Sequence, residues 1–202
     1  MPSEYDPVRG AVDDPLVEDD LERVKDYFEA ASRPYLSQPW SWLVWALILP
    51  VAALATPRVH SGTGGVGVLL LWSIAVILGG VFEAVQIGRA RRRGGQSSSL
   101  AGWVLRAQGN LSLIAVLLSI VLIWRHEAWL LPGLWLLLLG HSLFSLGGLA
   151  SRALRTGGLL YQLGGLLAIW PHGQGGVIFA AATLVANLWI AVSIWRARAA
   201  ND

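Results

Sequence analysis

The chain has 202 residues, 54% of them hydrophobic and only 14% charged, with a mean hydropathy of +0.54, whereas a soluble domain usually carries about 25% charged residues. It has no cysteine, which excludes disulfides, thiol catalysis and Cys-ligated metals. The formal net charge of +2 conceals a division: residues 1–39 hold ten acidic and four basic side chains, and residues 40–202 hold three acidic and eleven basic ones.

The acidic segment 1–39 comes first. Asp14 before Pro15 reads as an N-cap and first helical position. Val17, Leu21, Val24 and Phe28 then recur on one face of a helix expected over about 15–32. Arg33 precedes Pro34, which ends it. Such a helix has three open roles: a solvated cytoplasmic element, self-docking on basic loops around Arg91 to Arg93 and Arg152, or docking to another protein. Lipid-anchoring helices are basic, so that role is disfavoured. No signal peptide is expected, because the first apolar block starts near Trp40 after acidic residues.

Six apolar spans follow, at 40–56, 66–88, 102–124, 128–150, 157–170 and 175–195, with a short tail at 199–202. About 20 apolar residues cross a bilayer core. The first and fifth are short; the fifth reaches full length only by starting near Ala153. Trp40, Trp42, Trp103, Trp124, Trp129, Trp170 and Trp195 mark span ends, where indole rings meet the interface. Twelve basic residues fall on the side of the N-terminus, against Arg58 and Arg125 on the other, while Arg106 lies within the third span. Basic loops stay cytoplasmic, so both termini are expected in the cytoplasm of a multi-pass, all-α integral membrane protein. Richness in Arg, Gly, Ala and Leu points to a bacterial source.

The apolar region 40–198 reads as three tandem helical hairpins. Ile123-Trp124-Arg125-His126 and Ile169-Trp170-Pro171-His172 are parallel outer turns, and His126 to His141 is matched by His172 to Asn187. Spans one and two fit more loosely, with His60 in the outer turn and Arg89 at the inner end. "GGVFEAVQIGRARRR" and "GGLLYQLGGLLAIWPHGQGGVIFAAATLVANLWIAVSIWRAR" resemble the HdeD-like acid-resistance membrane proteins over roughly residues 66–198. That resemblance implies six spans in two-helix repeats, a bacterial inner-membrane location, a link to acid or envelope stress, and no catalytic residues to carry over. The acidic segment is outside the family pattern, and the first hairpin departs from it most.

Ionisable residues within spans are candidates for function. Glu83 and Arg106 lie at similar depth near the cytoplasmic side, and an ion pair between them is expected; the rival is a titratable Glu83 that exchanges protons or binds a cation. Gln108, Asn110, His141, Gln162 and Asn187 read as buried polar groups bonded between helices. Glu83, Arg106, His141 and Asn187 together could line a transport path. His60, His126 and His172 fall on the outer side, as plain loop residues or as a pH-responsive surface. His141 has no second mid-span His to complete a heme site, and no cofactor or metal is expected. "GTGGVG" at 62–67 has no Lys, so it is not a nucleotide loop. Arg89 to Arg93 reads as a topology signal at lipid headgroups, with no nucleic-acid partner. The leading expectation is a non-enzymatic membrane accessory or stress protein, with a small-solute or proton-coupled transporter or channel as the alternative. A continuous polar cavity would favour transport; a dry, glycine-packed bundle would favour the accessory role.

Overall fold

A computed structural model describes residues 38–92, 99–147, 151–170 and 173–200. The expected helix at 15–32, and His172, lie outside these described residues. The described elements are all helical: α1 (Pro39–Arg92), α2 (Ser99–Trp124), a 3-10 turn (Ala128–Leu130), α3 (Leu131–Gly147), α4 (Arg152–Ile169) and α5 (Gly175–Ala199). Three stretches, Pro39–Arg89, Ala128–Gly147 and Gly175–Ala199, are long and apolar enough to cross a membrane.

The helix ends follow from local chemistry. α1 is broken at Gly64, where φ is 67° and ψ −157°; that combination is essentially open to glycine alone. Its first half runs through Pro50 and Pro57 and so extends past residue 56, where the sequence suggests an end. Contacts cross the break: the Trp72 indole N–H donates to Thr56 Oγ1 at 3.0 Å, and the Trp45 ring occupies the space a Cβ on Gly79 would need. α2 closes on His126 in the left-handed region (φ 62°), with Glu127 N–H donating to the Leu122 carbonyl at 2.8 Å, the geometry of a helix C-cap that usually selects glycine. α4 starts five residues before the expected 157–170 span, because the Ser151 hydroxyl accepts from Leu154 N–H at 3.3 Å and caps it. It stops where Trp170, preceding Pro171, turns extended. Arg196 and Arg198 sit in the last turn of α5, where cations meet the negative end of the helix dipole.

α3 packs on α4, α4 on α5, and α5 on α1, whereas α2 makes its main contacts only with α3 and the 3-10 turn. Glycines set the spacing in the middle of this row. Gly157-Gly158 and Gly164-Gly165 are adjacent pairs seven residues apart on α4. Gly158 and Gly165 face α3: a Cβ on Gly158 would stand 2.7 Å from the Gly140 carbonyl oxygen, and one on Gly165 3.0 Å from Leu137 N. Gly157 and Gly164 face α5, against Ile190 and Ala182. In lipid, where tails are as apolar as leucine, such close van der Waals contact is the main force joining helices. Ala53, Leu136, Tyr161, Ala168, Phe179, Ala180 and Ala186 form the buried core, with Trp72 edge-on to Phe179 at 5.7 Å.

Gly64 and Gly65 both have open space where a Cβ would sit, but only Gly64 has positive φ. Gly64→Ala should therefore cost about 1–3 kcal/mol of backbone strain, read as a lowered thermal midpoint in detergent, while Gly65→Ala should leave that midpoint nearly unchanged. Equal effects of the two substitutions would contradict the break at Gly64.

Candidate functional site

Among the described residues, Tyr161 and Asn187 form a buried polar pair between α4 and α5. The Tyr161 hydroxyl donates to Asn187 Oδ1 at 3.1 Å, and the two residues are 3% and 1% exposed. Asn187 Nδ2 is buried with no hydrogen-bond partner. One turn earlier on α5, the fully buried Thr183 hydroxyl donates to the Phe179 carbonyl at 2.8 Å and so satisfies itself within its helix. Asn187 belongs to the anticipated polar set; Tyr161 does not, although its position 26 residues before Asn187 places it across the α4–α5 turn.

Glu83, Arg106 and His141 do not join Asn187. No hydrogen bond or ion pair links any two of the four among the described residues. The expected Glu83–Arg106 ion pair is absent: the Glu83 carboxylate accepts from Trp45, across the break in α1. Arg106 is exposed on α2, a helix whose main contacts are with α3. His141 is exposed rather than buried, because α3 turns Gly133, Gly140 and Gly147 toward α4 and leaves His141 on its outer side. Asn110 is exposed as well, Gln162 is half-buried beside Gly140, and the Gln108 side chain is outside the description. His60 and His126 are both exposed. Among the described residues no group of His, Asp or Glu could hold a metal ion.

A second polar device was not anticipated from the residues alone. Thr56 donates its hydroxyl to the Ala52 carbonyl at 2.8 Å and accepts the Trp72 indole N–H. Ser119 does the same, donating to the Ala115 carbonyl at 2.7 Å and accepting from Trp135 at 3.1 Å. In each case the hydroxyl and the indole are 16 residues apart. An indole N–H at membrane depth needs an acceptor, and a hydroxyl already bonded to its own helix supplies one without exposing a spare donor. The recurrence of Ala, Ser or Thr, and Trp at the same spacing was the available signal.

Clefts open at the two ends of the helices. One of about 220 Å³ is lined by Trp40, Leu43, Trp195 and Arg198; the other, of about 340 Å³, lies between Trp129, Pro132, Ala168 and Trp170. Neither is lined by Tyr161, Thr183 or Asn187. The chain matches no family model, no curated protein and no solved structure.

Removing one partner from a buried hydrogen bond costs more than removing both. Tyr161→Phe should lower stability, and Asn187→Leu in the same background should recover part of the loss. The coupling energy from the double-mutant cycle should be about 0.6–1.7 kcal/mol, the range for hydrogen bonds between membrane helices, measured by denaturation in mixed micelles. A coupling of zero would mean the pair does not hold α4 to α5.

Proposed function

We propose that the chain is a six-span, non-enzymatic protein of the bacterial inner membrane, with both termini cytoplasmic, built as three helical hairpins of the HdeD-like kind. Its role on this reading is that of a membrane accessory protein in the response to acid or envelope stress. The observation that carries the non-transporting role is the tight glycine contact of α3, α4 and α5 around a midsection lined by neither cleft. A transport path through Glu83, Arg106, His141 and Asn187 gains no support, since each has different surroundings.

The span count rests on the breaks in the chain. An unbroken helix of the 51 residues Pro39–Arg89 would be about 75 Å long at 1.5 Å per residue, against a bilayer core of about 30 Å. The contacts of Trp72 with Thr56 and of Trp45 with Gly79 and Glu83 bring its halves side by side. Gly64, His126 and Gly173 all have positive φ, of 67°, 62° and 68°, and fall where the three outer turns belong. The Trp–hydroxyl pairs tie 39–92 to the next hairpin by a common offset: Ala52, Thr56, Trp72, Arg89 and Arg92 are followed 63 residues later by Ala115, Ser119, Trp135, Arg152 and Arg155. The HdeD-like assignment itself is supported by the glycine spacing and basic inner ends of the motifs in 66–198.

Topology reporters test the arrangement. Fusions after Arg93 and after Arg155 should report the cytoplasm, and fusions near His60 and His172 the outside. A cytoplasmic signal at His172 would overturn the six-span reading.

A further inference from the structure

α1 and α5 run antiparallel and side by side. The rings of Trp40 and Trp195 lie 6.1 Å apart at one end, and toward the other a Cβ on Gly176 would stand 3.7 Å from the Ala53 carbonyl oxygen. At the first end Trp40, Leu43, Trp195 and Arg198 enclose the cleft of about 220 Å³. Its two indoles come from different helices, so the packing of α1 on α5 creates it. The cleft between Trp129, Pro132, Ala168 and Trp170 also has two indoles, but no cationic side chain lines it. Arg125 and Arg152 are exposed and line neither cleft. Away from the Trp40–Trp195 contact, both helices carry exposed apolar stripes. Trp40, Leu47, Val51 and Leu54 recur at helical spacing on α1, and Trp195, Val192, Leu188 and Val185 do so on α5. Because the stripes start from two rings that meet, they descend side by side. The stretch from Trp40 to Leu54 spans about 21 Å at 1.5 Å per residue, longer than one leaflet's share of a bilayer core of about 30 Å.

We infer that this cleft holds the headgroup of an anionic glycerophospholipid whose acyl chain lies along the paired stripes. Phosphate is the part of the headgroup that the side chains select, because a guanidinium meets it with two parallel N–H donors. Indole N–H groups add donors at the depth where headgroups begin. α1 presents its N-terminal end here and α5 its C-terminal end, so the two helix dipoles oppose each other. The surplus charge at the cleft is then that of Arg198 and, on the same turn, Arg196. Two cations favour a headgroup of net negative charge over one whose phosphate is balanced by its own ammonium. The tail adds little selectivity, since any lipid chain covers an apolar stripe equally. It decides the source of the phosphate: a soluble anion would use the guanidinium and leave the stripe unused. The inference rests on α1 and α5 crossing the membrane, for which both are long and apolar enough, and not on the number of spans or on the role proposed above.

Lipid retention tests the site. Full-length chain reconstituted in vesicles of mixed phosphatidylglycerol and phosphatidylcholine, then released intact into a mass spectrometer, should carry phosphatidylglycerol in preference. Arg198→Gln should weaken that retention about tenfold, the effect of losing hydrogen bonds to a charged group. Arg125→Gln, at an exposed arginine outside the cleft, should leave it unchanged. Arg198→Lys keeps the charge without the two-pronged fit and should fall between them. In neutral detergent, added phosphatidylglycerol should raise the thermal midpoint of the unaltered chain and of Arg125→Gln, but not of Arg198→Gln. Because each rise is measured against the same variant without lipid, it separates binding from folding. Equal losses in Arg198→Gln and Arg125→Gln would mean diffuse attraction to any anionic lipid and overturn the site, as would equal retention of phosphatidylcholine. Displacement of the lipid by excess inorganic phosphate would assign the guanidinium to a soluble anion and overturn it too. Each of these results leaves the six-span reading intact, and topology reporters that contradict six spans leave the retention result standing.

Discussion

The backbones of α3 and α4 approach until the carbonyl of Gly140 and the Cα of Gly158 leave no room for a methyl group between them. The rest of the bundle depends on that approach. Within a bilayer no hydrophobic force drives one apolar helix against another, so contact area at short range must hold them. Gly133, Gly140 and Gly147 on α3, spaced seven apart, meet Gly165, Gly158 and Arg155 on α4 in turn. Because α4 carries its glycines in adjacent pairs, the same two positions on the helix also admit α5 on the next face. α4 thereby becomes the element on which both neighbours are aligned, and α5 passes that alignment to α1 through Phe179 and Trp72.

Polar groups inside this packing are few and mostly self-contained. Thr183, Thr56 and Ser119 bond to carbonyls of their own helices. Two of these hydroxyls then serve as acceptors for an indole from the helix alongside, which fixes the rotation of one helix against the other without introducing a charge. Glu83 follows the same economy, with Trp45 as its donor. Asn187 is the exception: one of its amide hydrogen-bonding atoms is matched by Tyr161 and the other is not. These arrangements describe a bundle that orients its helices by single hydrogen bonds.

The two loosely held pieces, α2 and the second half of α1, contrast with that centre. Among the described residues, those fully buried are Ala115 on one and Ala75 and Gly79 on the other, and many large apolar side chains are exposed. Such a largely apolar surface is what lipid contact requires. It also explains why helical periodicity said little about their facing: a helix that is apolar all round has no preferred side in its sequence.

Much was nonetheless determined by the residues themselves. Length and apolarity made the chain helical and membrane-compatible, because only a helix satisfies its own backbone in a run of leucine and valine. The outer turn at Trp170-Pro171 marked the end of α4. Other features required the third dimension. Glu83 and Arg106 share a depth, but rotation about their helices decides whether they meet, and the Trp45 indole meets Glu83 instead. His141 and Asn187 occupy equivalent register positions, fifteen residues after His126 and His172, yet one is exposed and the other sealed, because α3 and α5 turn different faces to α4. Position along a helix is written in the sequence; which face a neighbour covers is set by the glycines that let that neighbour approach, and those belong to both helices at once.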